Sequence, residues 1–311
     1  MTARVAPAPP AAACRQSLSE TAVLLLRSMR PRQWTKNAIV LVGLVFSLEL
    51  DKPQQVARAV LALVAFILLS SAVYLINDLV DMEKDRLHPT KRLRPLASGA
   101  LAPRVAIVAA AVALAAGLLT SLLLSLPLAA IATGYLGLQA VYSAVLKHAV
   151  ILDVMALAAG FVLRAVAGAV AVGVPISPWL YVCTLLLALF LALGKRRQEL
   201  LLLTDGAAGH RPSLTHYSVG MVDELLQVVT TSLLVAYMLY TFFAENLPRN
   251  RAMMLTIPFV LYGVFRYLYL VHGRGEGGSP EEVLLRDRPT MVCVLLWGLT
   301  VVTILYAVPA S

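Results

Sequence analysis

Apolar runs near twenty residues long recur along almost the whole of this chain, and they restrict its fold more than any motif does. A run of that length in an α-helix spans about 30 Å, the hydrocarbon thickness of a bilayer. Roughly placed, the runs cover 37–50 (short, extending back toward Trp34), 53–76, 104–123, 126–145, 151–172, 178–194, 222–244, 252–271 and 290–308. The 311 residues are 59% hydrophobic and only 14% charged, a membrane composition rather than that of a soluble core. Helices fit these runs better than strands, because a barrel would show short segments alternating every second residue. The expected fold is therefore all-α, a polytopic membrane protein of about nine transmembrane helices. It forms a single domain over 18–311, preceded by a disordered cytoplasmic tail over 1–17 that is rich in Ala and Pro. Cys14, Cys183 and Cys293 lie far apart and match no metal or redox spacing.

The basic residues orient the bundle. Of 26 Lys and Arg, 20 fall on one side of this map: six in 1–36, six in 77–104, Lys147, four in 195–221 and three in 272–289. Lys52, Arg58, Arg249 and Arg251 lie toward the other side, and Arg164 and Arg266 lie within spans. The positive-inside rule then places the amino terminus and the long charged loops in the cytoplasm, with the protein integral to the plasma (inner) membrane. The formal charge of +9 calls for no nucleic acid; the lipid bilayer's anionic headgroups or a phosphorylated substrate account for it. A homo-oligomer is left open.

The stretch "YLINDLVDMEKDRLHPTKRLRP", Tyr74 to Pro95, crowds opposed charge at the end of the second apolar run. At about 100° per residue, Asn77, Asp81, Asp85 and Asp78 fall near about 0°, 40°, 80° and 100° on a helix, so three carboxylates share one stripe. Such a stripe repels itself at a membrane edge unless cations neutralise it. Carboxylate and amide oxygens suit Mg²⁺, which keeps several waters and bridges a few carboxylates to substrate phosphates. Asn77, Asp81 and Asp85 are thus the expected metal ligands, with Asp78 beside them; the plainer alternative is a solvated helix end paired to Lys and Arg. Pro89 stops the helix at His88. His88 either orients a phosphate or ribose hydroxyl or only caps the helix. Lys91, Arg92 and Arg94 suit phosphate oxygens, and equally suit cytoplasmic anchoring.

Other charges lie inside or beside spans. Asp153 and Arg164 are eleven residues apart, which puts them on one side of a helix about 16 Å apart along it. Intramembrane ionisable groups are costly and usually face the bundle interior, so both line the expected polar cavity. Arg164 either meets substrate deep in that cavity or locks helices together, and Arg266 either joins the site or snorkels to the headgroups.

"NDLVDMEKD" resembles the Asn-Asp-x-x-Asp-x-x-x-Asp signature of the UbiA superfamily of intramembrane prenyltransferases. "RPRQWTKN" at 30–37, "NDLVDMEKDRLHPTKRLRPLASG" at 77–99, "YSAVLKHAVILDV" at 142–154, "GFVLRAVAG" at 160–168, "GKRRQEL" at 194–200 and "LRDRP" at 285–289 resemble the branch that acts on decaprenyl phosphate as a phosphoribosyltransferase. The resemblance covers nearly the whole chain in order and implies helices around a central cavity open to the cytoplasm. It also implies Lys36, Tyr74, Tyr142, Lys147, Arg196 and Glu199 as substrate contacts, and Lys195 with Asp78, Asp81 and Asp85 as the catalytic set. One departure separates branches: where aromatic prenyltransferases of the superfamily carry a second aspartate-rich motif, this chain reads "GKRRQELLLLTD". More cations and fewer carboxylates suit a donor with several phosphates.

The implied donor is phosphoribosyl pyrophosphate, the acceptor a polyprenyl phosphate lipid and the cofactor Mg²⁺. A lipid phosphate is already largely dianionic at neutral pH, its second pKa being near ~6, so no strong general base is needed. This agrees with the absence of a Ser-His-Asp or Cys-His arrangement. The alternatives are aromatic prenyl transfer and, from a different class, a cation transporter or channel.

Overall fold

Prolines and serines mark where the helices of this chain start. Pro53 opens α3 (Pro53–Val80), Pro103 opens α5 (Pro103–Leu124), and Ser125 caps α6 (Leu126–Ala144) by accepting from the Leu128 N–H. Ser218 caps α9 (Val219–Phe243) in the same way. Proline is favoured in the first turn because its missing N–H has no intrahelical partner there. Ser17 and Glu20 form a reciprocal capping box at α1 (Leu18–Ser28). The remaining helices are α2 (Val42–Phe46), α4 (Met82–Arg86), α7 (Leu152–Val172), α8 (Pro178–Thr204), α10 (Ile257–Gly273) and α11 (Arg288–Ala307). The structure, a computed structural model, describes residues 17–204, 214, 216–244, 247, 250–274, 278, 283 and 286–307, and among these there is no strand. Of the tail expected over 1–17, only Ser17 lies among the described residues.

Seven helices among the described residues are long and apolar enough to cross a membrane: 53–80, 103–124, 152–172, 178–202, 219–243, 252–273 and 288–307. The protein is thus an integral membrane protein. The run expected at 126–145 forms α6, of 19 residues. The run expected at 37–50 differs. It is a 3-10 stretch, Pro31–Leu41, followed by the five-residue α2. Its backbone is pressed onto α7 so closely that a Cβ on Gly168 would lie 1.8 Å from the Val40 carbonyl oxygen, and one on Gly43 2.8 Å from the Ala169 nitrogen.

Lipid tails are as apolar as leucine, so close packing rather than escape from water holds such helices together. Ala59, Ala62, Ala65 and Ala72 are buried along α3, and Leu69 fills the space over Gly117 of α5. Polar struts add to this. Arg58 donates to the carbonyls of Ala171 (2.7 Å) and Leu124 (3.1 Å), at the last turns of α7 and α5, where helix dipoles favour a cation. At mid-bundle, Arg164 of α7 donates to Asn37 Oδ1 (2.8 Å), the Gly160 carbonyl (2.9 Å) and the Tyr135 hydroxyl (2.7 Å). Asn37 continues to Ser70 of α3 at 3.1 Å. One guanidinium therefore ties α7 to α6, the 31–41 stretch and α3.

Candidate active site

The acidic stripe does not stay on one continuous helix. α3 ends at Val80, Asp81 takes a non-helical ψ of 3°, and α4 follows, although Asp81 N–H and Asp85 N–H still bond one turn back at 2.9 and 2.8 Å. The stripe divides into two halves with different neighbours. Asp78 and Asp85 are buried, and arginines neutralise them: Arg30 donates to Asp78 (2.5 Å), and Arg94 donates to both Asp78 (3.2 Å) and Asp85 (2.5 Å). Arg30 adopts a left-handed φ of 55°, and its guanidinium lies 4.9 Å from the centre of the Tyr74 ring. Arg94 is positioned by the turn after it, where Leu101 N–H bonds the Pro95 carbonyl and Leu96 and Leu101 are buried. The charge compensation that the stripe demands is thus supplied in part by protein, from a residue 48 positions away that the stretch itself does not contain.

Asn77 and Asp81 face the other way. They line a cleft of about 390 Å³ between α3 and α6 whose walls include Val73, Leu114, Leu136 and Ala140, and whose polar rim includes Gln139, Ser143 and Lys147. Asn77 Oδ1 accepts from Ser143 Oγ at 3.2 Å. Among the described residues no three His, Cys, Asp or Glu side chains converge as a metal site. One amide and one carboxylate oxygen at this cleft nevertheless suit Mg²⁺, which takes one or two carboxylates, substrate phosphates and water. Asn77 and Asp81 are the pair that fits, while Asp85 is committed to Arg94.

In the basic loop, His88 Nδ1 accepts from the N–H groups of Thr90 (3.3 Å) and Lys91 (3.4 Å), so the ring shapes the loop that carries Lys91, the exposed Arg92 and Arg94. Lys36 and Lys195 are half-buried and already engaged by neighbours.

A second cluster lies where α7 and α8 meet. Arg196, 0% exposed, donates Nε to Asp153 Oδ2 at 2.7 Å and Nη1 to Glu199. Tyr142 of α6 lies close enough to interact with Arg196 electrostatically. Arg197 turns outward to Asp223 at 2.7 Å. Arg266 does not join either cluster. It forms a two-pronged pair with Asp287, at 3.1 and 2.8 Å, and those bonds, with two from Thr290, hold the Asp287 carboxyl well below the usual carboxylate range. The sequence reading missed Arg30, Ser143 and Tyr217. Arg30 lay in the quoted "RPRQWTKN", but nothing local shows that it reaches Asp78.

The model of the "UbiA prenyltransferase family" matches residues 38–281 of this chain. The decaprenyl-phosphate phosphoribosyltransferase of Mycolicibacterium smegmatis is 35% identical over 297 residues, covering 91% of this chain and 92% of that protein. The protein of the same name from Corynebacterium glutamicum is 33% identical over 302 residues, covering 95% and 90%. In fold, the chain is similar to a UbiA homolog from Archaeoglobus fulgidus bound to GPP and Mg²⁺, with a TM-score of 0.70 at 20% identity, covering 91% of this chain and 99% of that one.

Proposed function

The chain belongs to the UbiA prenyltransferase family, and we propose that it transfers the 5-phosphoribosyl group of phosphoribosyl pyrophosphate to a polyprenyl phosphate of the decaprenyl type, releasing pyrophosphate. The observation that carries this reading is the cleft between α3 and α6. Its walls are apolar, and Asn77, Asp81, Ser143 and Lys147 stand on it as polar groups, a combination that accepts a long apolar chain bearing an anionic head. The basic end of the bundle is assigned to the cytoplasm of a plasma membrane, from the placement of 20 of the 26 Lys and Arg.

In this reaction a phosphate oxygen of the lipid forms a bond to ribose C1 while the bond from C1 to the pyrophosphate oxygen breaks. The ribose passes through a state with oxocarbenium character, and the leaving group carries the charge away. Asn77 and Asp81 would hold Mg²⁺, which when bound supplies positive charge to a diphosphate leaving group. Lys147 faces the same cleft and adds a fixed cation for phosphate. The loop bearing Lys91 and Arg92 supplies further donors for a ligand with several phosphates. Arg94 and Arg30 keep Asp78 and Asp85 paired, so that the acidic stripe does not repel an anionic donor. The acceptor phosphate arrives largely dianionic, so no side chain needs to deprotonate it.

The test is to incubate purified protein in detergent with labelled phosphoribosyl pyrophosphate, Mg²⁺ and a polyprenyl phosphate, and to follow label into the lipid fraction. Label that enters the lipid only when all three are present is the expected result. Transfer from a prenyl diphosphate to an aromatic acid, with no label in the lipid, would overturn the reading in favour of aromatic prenyl transfer.

A further inference from the structure

The cluster around Arg196 is held by a residue outside every motif. Just before α7 the chain makes a tight turn at Ile151, with φ 69° and ψ −48°, closed by a Leu152 N–H bond to the Val150 carbonyl at 2.8 Å. A positive φ at a β-branched residue is a strained conformation that persists only where surroundings enforce it. Here the enforcing contact is the Tyr217 hydroxyl, which accepts from the Ile151 N–H at 2.7 Å and donates to Asp153 Oδ1 at 2.8 Å. The Val154 N–H also binds Asp153 Oδ1 at 2.8 Å, leaving Oδ2 to take Arg196 Nε. Burial pushes the Tyr217 phenol up to about 12, so it keeps the proton it donates at neutral pH. Arg196 thus has Nε on Asp153 and Nη1 on Glu199, while its Nη2 is buried without a hydrogen-bond partner among the described residues. A buried guanidinium nitrogen left unpaired by protein is costly unless a water or a ligand oxygen completes it.

We propose that Tyr217 is a positioning residue, which by clamping the Ile151 turn to Asp153 sets the orientation of Arg196 so that its free Nη2 takes a phosphate oxygen of the phosphoribosyl donor. This rests on the reading of the chain as a phosphoribosyltransferase. Tyr217 acts only through Asp153 and Arg196, and its effect therefore vanishes once the Arg196 fork is gone.

The full-length protein in detergent is titrated calorimetrically with phosphoribosyl pyrophosphate and, separately, with a short-chain polyprenyl phosphate. Tyr217→Phe is expected to raise the donor Kd about tenfold and leave the acceptor Kd within about twofold, the loss of one charge-assisted phosphate contact. Arg196→Lys keeps the charge but not the fork. Adding Tyr217→Phe to Arg196→Lys is expected to weaken donor binding no further, because the two residues act as one unit. Additive losses, or equal weakening of donor and acceptor, would overturn the inference while leaving the proposed reaction standing. Failure of the unmodified protein to bind the donor would overturn both. Should Tyr217→Phe not accumulate, the same cycle is run with Ile151→Gly in its background, since glycine holds a positive φ without the clamp.

Discussion

Arg164 and Arg196 sit on packed neighbouring helices, both buried, yet they meet opposite surroundings. Arg164, 5% exposed, has no carboxylate among its described partners; its donors end on an amide oxygen, a backbone carbonyl and a phenol, and its guanidinium lies 4.6 Å from the Tyr135 ring centre. Arg196, 0% exposed, has Asp153 and Glu199 on two of its nitrogens and, among the described residues, no hydrogen-bond partner on the third. An arginine whose three nitrogens all end on protein groups, two of them on other segments, is a strut. One that pairs two carboxylates and still has a nitrogen to spare keeps a donor for a ligand. We therefore read Arg164, the intramembrane charge that stood out in the sequence, as a lock between helices, and propose Arg196, from the basic cluster, as the one that meets ligand.

The largest expected effect tests the strut. Arg164→Leu leaves Asn37 Oδ1 and the Tyr135 hydroxyl without this donor, at ~1–3 kcal/mol for each buried group left unpaired, while the Gly160 carbonyl keeps its helical N–H. Thermal melting in detergent should show the protein losing several kcal/mol or failing to accumulate, whereas Arg196→Lys should melt close to the unmodified protein. Two variants with the same melting point would erase the distinction.

Next is the half of the stripe proposed to hold Mg²⁺ against its arginine-paired half. Asp81→Asn should lose turnover on the order of a hundredfold or more at limiting Mg²⁺, the scale of disturbing a metal shell, with the melting point intact. Asp85→Asn, by contrast, leaves Arg94 with Asp78 as its remaining described carboxylate and should lower stability first. Full activity of Asp81→Asn at limiting Mg²⁺ would remove it as a ligand. Smaller again is the exposed loop: Arg92→Ala should cost about tenfold in donor kcat/KM, from ~1.5–3 kcal/mol for one charge-assisted contact, with little change toward the acceptor. Equal kinetics with a lower yield would mean that Arg92 serves insertion rather than phosphate.

The smallest effect comes from a third kind of arginine, one at the bundle's edge. Arg266 holds Asp287 in a partly exposed pair, and such pairs contribute little to stability. Because the folded pKa of Asp287 lies below its unfolded value, that contribution is full above the ordinary carboxylate pKa near ~3.9 and fades as pH falls through the depressed one. The melting difference between the unmodified protein and Asp287→Asn should therefore be small at neutral pH and disappear in strong acid. A difference that grows on acidification would contradict the assigned pair.

Much of this was legible in the residues themselves. The helices of 53–80, 103–124 and 219–243 follow from apolar length, and the proline and serine starts from backbone hydrogen-bonding needs. The short run expected over 37–50 is a 3-10 stretch and one helical turn instead of a single span, and only its contact with Gly168 shows why it is broken. The acidic stripe was legible as a wheel, and its four residues do fall into two adjacent pairs, 77 with 81 and 78 with 85. Which pair faces a cleft and which faces arginine was not.

Hydropathy, charge and helical periodicity are properties of neighbouring residues, and they determined by themselves that this chain crosses a membrane, that its cations gather at one end, and that an acidic motif stands there. The partners of each buried charge were decided only by tertiary structure. Arg30 reaches Asp78 across 48 positions, Tyr217 reaches Asp153 across 64, and Arg164 reaches Asn37 across 127. In a low-dielectric interior a buried charge or polar group is costly without a partner, but nothing in a local pattern says from which helix that partner comes; the packing of α3, α6, α7 and α8 against one another makes that choice.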